Sequence, residues 1–196
     1  MASILHRWGR AALRREAATV RSRKGHRLSS ETRLALLVPA DSLSLRLQLK
    51  DLVEGMQEQE EVNRWCMYVD TGMSRKAHAK ARAQRIKSLN HSMESEPEFP
   101  QHAQVKLIWK DDLGASGLPK SMPDALHEAD VVLWLDSTGD NLPLQAWLKR
   151  SSAGFKVGPA SAQTDELDFM LTWPDGGDMS SFVQLTFHYL KTLDLK

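Results

Sequence analysis

The sequence predicts an α/β protein: a three-layer sandwich with a mainly parallel sheet of five or six strands, preceded by a basic N-terminal helical arm. Three observations predict it. Residues 34–38 and 131–135 are apolar at consecutive positions, as strands covered on both faces are. Segments with apolar residues at helical spacing alternate with such runs, the pattern of βαβ units. The charge is also lopsided. Residues 1–33 carry nine Lys and Arg (Arg7, Arg10, Arg14, Arg15, Arg21, Arg23, Lys24, Arg27, Arg33) against two acids (Glu16, Glu31), and the rest carries 17 against 23. A near-neutral total therefore conceals an arm of +7 on a body of −6. The expected organisation is an arm over residues 1–31 and one domain over 32–196, with a basic and then acidic insertion at 73–104.

The arm folds on paper into an amphipathic helix. At about 100° per residue, Ile4, Leu5, Trp8, Ala11 and Ala12 share one third of the wheel, and Arg7, Arg10, Arg14 and Arg21 form a stripe elsewhere. Trp8 anchors the apolar side. Gly25 and Leu28-Ser29-Ser30 read as a hinge, which leaves the arm loosely held. A first strand at 33–39 follows. Asp41 or Ser42 caps a helix reaching about residue 60, with Leu45, Leu49, Leu52, Val53 and Met56 as its buried stripe. The second strand, 65–69, ends at Asp70-Thr71-Gly72. Residues 73–89 hold Arg75, Lys76, Lys80, Arg82, Arg85 and Lys87 with no acid. Their alanines favour helix, and their charges leave no clear buried side. Glu94, Glu96, Pro97, Glu98 and Pro100 make an acidic loop.

A third strand at 105–109 leads to Lys110-Asp111-Asp112 and a short helix at 123–129. The strand at 131–135 ends at Asp136-Ser137-Thr138-Gly139. A helix at 142–150 has Leu144, Trp147 and Leu148 at core spacing. Strands at 155–157 and 168–172 follow. Asp178 caps a terminal helix that buries Met179, Phe182, Val183, Thr186 and Leu190.

Several chemistries are excluded or lack their signature. One cysteine, Cys66, rules out an intrachain disulfide and fits a reducing compartment. Mid-strand, it reads as a small buried thiol. No apolar run approaches the ~20 residues of a membrane span, and no secretory h-region follows the first arginines, although an Arg-rich, acid-free start is also how an organelle transit peptide reads. The seven histidines lack metal-site spacing, and neither a P-loop nor a three-glycine dinucleotide turn occurs. No Gly-x-Ser-x-Gly is present. No cofactor or metal is expected.

Two constellations remain. Asp70, Asp111, Asp112 and Asp136 follow three strands, and ligands of open parallel sheets sit at that carboxyl edge. Converging carboxylates there can hold Mg²⁺ beside a phosphate; the competing reading is that Asp before Thr, Ser or Gly caps helices and shapes turns. The other constellation is basic. Five of the six tryptophans (Trp65, Trp109, Trp134, Trp147, Trp173) fall in strands or on a core-facing helix side, and only Trp8 lies among arginines. Arginine with one aromatic suits a nucleic acid and equally a membrane-surface helix.

From Leu34 onward the chain resembles a family of short α/β proteins of Bacteroidota whose role is unknown. A basic N-terminal leader, a first strand, Lys110-Asp111-Asp112-Leu113, the strand at 130–135, Ser152-Ala153-Gly154-Phe155-Lys156-Val157-Gly158, Asp168-Phe169-Met170-Leu171 and His188-Tyr189-Leu190 carry the resemblance. It extends over about 160 residues of the chain, with residues 73–100 fitting least. It implies the fold and a bacterial cytoplasmic origin, and no catalytic residues.

The function expected is binding rather than catalysis: docking on structured RNA or a ribosomal or ribonucleoprotein surface. Arg7, Arg10, Arg14 and Arg21 would meet phosphates with Trp8 packing or stacking, and Arg75, Lys76, Lys80, Arg82 and Arg85 would form a second contact. The alternatives are an enzyme or sensor of a small phosphorylated ligand at the acidic edge, and a peripheral membrane protein held by its arm.

Overall fold

The computed structural model describes residues 4–22, 28–88, 98–162 and 164–192. Six strands form one sheet: β1 (Arg33–Pro39), β2 (Arg64–Asp70), β3 (Val105–Ile108), β4 (Val131–Trp134), β5 (Phe155–Pro159) and β6 (Phe169–Leu171). Their order is β3-β2-β1-β4-β5-β6, and every pair is parallel. β1 is central and pairs with β2 along its whole length, from Arg33 opposite Arg64 to Pro39 opposite Asp70. Its continuous apolar run is explained by that position, since both of its faces are buried.

Alternate residues of the strands feed two separate cores. Leu34, Leu36, Val38, Met67, Val69, Val131 and Leu133 face α2 (Leu43–Gln57) and α6 (Met179–Thr192). Ala35, Leu37, Tyr68, Val132 and Trp134 face α4 (Asp124–His127) and α5 (Leu142–Arg150). The expected caps hold. Ser42 Oγ accepts from the Leu45 N–H at 3.3 Å, and Asp178 Oδ1 accepts from the Ser181 N–H at 2.8 Å. The bonds from Ser181 hold the Asp178 carboxyl below its ordinary pKa.

The arm departs from expectation. It is fastened to the domain along its length, not loosely held. α1 (Ile4–Arg15) lies against α5, with Leu13 buried among Leu118, Leu142 and Ala146. A Cβ on Gly9 would stand 2.6 Å from the Ser116 carbonyl oxygen and 2.9 Å from the Leu142 side chain, so only glycine allows this approach. The buried side of α1 is thus Gly9 and Leu13 with part of Ala12, and Trp8 and Ala11 face solvent. A wheel drawn on hydrophobicity alone missed this because contact here depends on the absence of a side chain at residue 9. The side chains of Ile4 and Leu5, and Gly25 of the expected hinge, lie outside the described residues. Leu28, also assigned to the hinge, is buried in the core beneath α2 and α6.

Beyond α1 the chain stays docked. Thr19 Oγ1 donates to the Arg150 carbonyl at 2.7 Å, Lys149 Nζ donates to the Leu13 carbonyl at 2.9 Å, and Arg150 pairs with Glu16.

Candidate functional site

The basic elements come first. On α1, Arg7, Trp8, Arg14 and Arg15 are exposed, and the three arginines have no hydrogen bond or ion pair among the described residues. Residues seven apart share a helix side, so Arg7 sits over Arg14 and Trp8 over Arg15. Trp8 is 69% exposed, far more than core packing would leave it. Arg10 forms a surface pair with Asp140, a contact of small energetic weight.

Arg21 is a different case. Its guanidinium makes two hydrogen bonds to the Asp168 carboxylate, at 2.6 and 2.9 Å, and reaches the carbonyls of Ala153, Gly154 and Glu166 at 3.1 to 3.2 Å. The side chains are only 5% and 8% exposed. The expectation that Arg21 contacts phosphate is therefore corrected. Desolvation is offset by a bidentate carboxylate and three carbonyls, which take both terminal nitrogens of a guanidinium that is itself buried away from any polyanion.

The second basic element is α3 (Arg75–Ser88). Within residues 75–84 only His78 is half-buried, wedged between Phe99 and Trp109 with ring centroids 5.5 and 5.0 Å away. The absence of an apolar stripe leaves the helix nothing else to bury. Lys76 and Lys80 are exposed and have no partner among the described residues. Arg82 stands 3.7 Å from Glu98 at the surface. The side chain of Arg85 is outside the described residues, as are Glu94, Glu96 and Pro97 of the acidic loop.

The four acids divide into two groups. Asp111 and Asp112 are drawn to the start of α3. Asp111 Oδ2 accepts from the Arg75 N–H at 2.7 Å, and Asp112 takes the Arg75 guanidinium at 2.8 and 3.0 Å. Their charge lies at a helix N-terminus, where it is favoured. Burial pushes against ionisation of Asp112, but the Trp109 N–H and Arg75 prevail and hold its carboxyl below the ordinary pKa. Two candidate sites of the sequence are thus joined: the Arg75 guanidinium neutralises Asp112, and its backbone N–H engages Asp111.

Asp70 and Asp136 flank the end of β1, where the strand order reverses. Asp70 Oδ2 accepts from Asn141 Nδ2 at 2.8 Å, and Oδ1 from the Gly72 N–H at 3.1 Å. Gly72, at φ +63°, presses against Asp41 with no room for a Cβ. Asp136 binds the N–H and hydroxyl of Thr138 at 3.0 and 2.7 Å and the Asn141 N–H at 2.8 Å. Asn141 Oδ1 in turn caps α5 through the Leu144 N–H at 3.1 Å. Burial pushes the Asp70 carboxyl above its ordinary pKa, against the hydrogen bonds from Asn141 and Gly72. All four acids are thus bound by their own chain, which is how acids that cap and shape turns behave. Among the described residues no group of three His, Cys, Asp or Glu can hold a metal ion.

Sequence reasoning missed Asn141, which ties the two central loops together; its signal was an N-cap residue before Leu142-Pro143. It also missed that Cys66 is half-buried rather than buried. No helix among the described residues is long and apolar enough to cross a membrane.

The chain belongs to a family of unknown function (DUF6913), matched over residues 77–193. The matched segment runs from within α3 through α6 and contains the motifs from Lys110 to Leu190 that carried the resemblance to a family of unknown role, with most of the stretch 73–100 that fitted it least; the basic leader and the first strand lie outside it. No curated protein and no solved structure matches the chain.

Proposed function

We propose that this DUF6913 protein is a non-enzymatic binding protein that docks on structured RNA, as on a ribosomal or ribonucleoprotein surface, through the outer side of α1. The observation that carries the reading is the solvent-facing Trp8 beside Arg7, Arg14 and Arg15, none of the three arginines paired with an acid among the described residues. Arginines supply phosphate contacts, and an indole supplies a stacking platform for an unpaired base. Because α1 is held by Gly9 and Leu13, this surface is ordered before a partner arrives, which lowers the entropic cost of binding. Lys76 and Lys80 of α3 provide a second cationic contact. A cytoplasmic setting in Bacteroidota belongs to the same reading.

The test is fluorescence polarisation of a labelled ribosomal RNA hairpin across a salt series. Affinity should fall with a log–log slope of roughly 0.7 to 0.9 per phosphate contacted. Arg7→Glu with Arg14→Glu should abolish binding, and Trp8→Ala should weaken it by about 1–3 kcal/mol. If the charge-reversed protein binds as well as the wild type, the reading is wrong. Binding of anionic vesicles in preference to RNA would replace it with a peripheral membrane role.

A second reading, an enzyme or sensor of a small phosphorylated ligand at the carboxyl edge, is favoured by one observation. The sheet order reverses between β1 and β4, where doubly wound sheets hold their ligands. The bonds already made by Asp70 and Asp136 weigh against it.

A further inference from the structure

The connection from β3 to β4 crosses the α5 side of the sheet. In a doubly wound sheet a helix normally makes that crossing and seals the strands beneath. Here residues 109–130 contain only a three-residue 3₁₀ turn (Lys110–Asp112) and the four-residue α4. α2 and α6 pack on the opposite face. β2 and β3 are therefore roofed on this side by irregular chain, which leaves a cavity of about 530 Å³. That size is in the roughly 300–1,000 Å³ range of small-molecule sites.

The cavity is held open by fixed contacts. Trp147 Nε1 donates to the Ser121 carbonyl at 2.9 Å, and Arg150 donates to the Pro119 carbonyl at 2.7 Å, so α5 pins the roof at two points. The Lys120 N–H reaches the Asp112 carbonyl at 3.3 Å. Inside, Tyr68, Ile108, Pro123, Ala125 and Trp147 present apolar surface. Cys66 lies among them beside the Tyr68 hydroxyl. Burial first, and then the hydrogen bond with Cys66, push that hydroxyl above its ordinary pKa, so it stays a neutral polar group.

The mouth has a defined charge. Asp111 and Asp112 border it, but the Arg75 guanidinium takes Asp112, and the Arg75 backbone N–H at the start of α3 holds Asp111, leaving two lysines as the excess charge. Lys106 and Lys120 border it too. Lys106 has no partner among the described residues, and Lys120 Nζ gives one hydrogen bond, to the Asp111 carbonyl at 3.1 Å. Unused donors at the mouth are therefore cationic, above an apolar interior. We propose that this cavity binds a small amphipathic carboxylic acid, its apolar body against Tyr68, Ile108 and Trp147 and its carboxylate at Lys106 and Lys120. This site is separate from the α1 surface and stands or falls independently of RNA binding.

Titration calorimetry of the full chain with octanoate and indoleacetate, and with octanamide and indoleacetamide, tests it. At least one acid should saturate with Kd below about 1 mM, and its amide should bind at least about tenfold more weakly. Lys106→Glu, a change on an exposed side chain, should weaken the acid at least about tenfold, and Ala125→Trp should block the mouth. Cys66 is the chain's only thiol, so its maleimide labelling reports occupancy; the bound acid should slow it, with no substitution needed. The proposal is overturned if neither acid saturates, if amides bind as tightly as acids, or if the acid leaves Cys66 labelling unchanged.

Discussion

α1 and α3 read almost alike in sequence: both are short, free of acids and rich in Lys or Arg. The fold uses them in opposite ways. α1 is laid along α5 by Gly9 and Leu13, and the segment after it is sealed by the buried Arg21–Asp168 pair. α3 is tied at its first turn by Asp111, Asp112 and Trp109 and is then bathed in solvent. The difference shows that positive charge counted along a chain is not positive charge available to a partner. Acids far away in sequence decide which cations stay open. Asp168 closes Arg21 and Asp112 closes Arg75, leaving Arg7, Arg14, Arg15, Lys76 and Lys80 open.

The largest expected effect concerns what fastens the arm. Arg21→Ala strands the Asp168 carboxylate in a buried site and should cost about 3–5 kcal/mol in urea denaturation. Lysine at 21 should rescue only partly, because it lacks the fork that engages a carboxylate and carbonyls together. A loss under 1 kcal/mol, roughly what a surface pair yields, would mean the arm is not fastened there, and the contrast with α3 would collapse.

Asn141→Ala comes next. It removes the cap of α5, the helix on which α1 rests, and should cost about 1–2 kcal/mol at neutral pH. The pH dependence has a definite sign. Burial raises the Asp70 pKa in the folded state, so the stability it contributes is complete below its unfolded value of 3.8 and is lost as pH rises through the folded value. Asn141 opposes that rise. Its removal lifts the folded pKa further, so the deficit of the variant should be greater at neutral than at acid pH. Equal deficits at both would exclude Asp70 as the cause.

Smaller effects separate the helices as binding surfaces. Arg14→Ala should lower the salt slope of RNA binding by about 0.7–0.9, and Lys80→Ala should do the same only if α3 touches the same RNA. Smallest of all, Trp8→Ala and Lys76→Ala should each shift folding stability by less than about 0.5 kcal/mol, as exposed positions do. A larger loss for Trp8→Ala would mean that the indole is packed in solution and unavailable for stacking.

Local signals were legible. The apolar runs gave all six strands to within a residue or two, and Ser42 and Asp178 marked helix starts correctly because a cap is settled within one turn. The helix at 142–150 was found at its observed bounds. What escaped depends on residues distant in sequence. Neither the strand order nor the partner of Arg21 is written near the residues concerned. Gly9 reads as a weak point in a helix and turns out to be the place where two helices touch. The acidic edge was read as one cluster because each acid follows a strand. The register instead sends Asp111 and Asp112 to α3, and joins Asp70 to Asp136 through Asn141.

The docking of the arm also dictates an order of events in biosynthesis. The partners outside the segment that hold residues 9–21, from Ser116 beside Gly9 to Asp168 beside Arg21, belong to the later half of the chain. Residues 4–22 are made before the residues that hold them, so their seat is complete only once the chain has been extended past Asp168. Until those later residues are in place, Arg21 lacks the carboxylate and carbonyls that accept its hydrogen bonds in the folded chain.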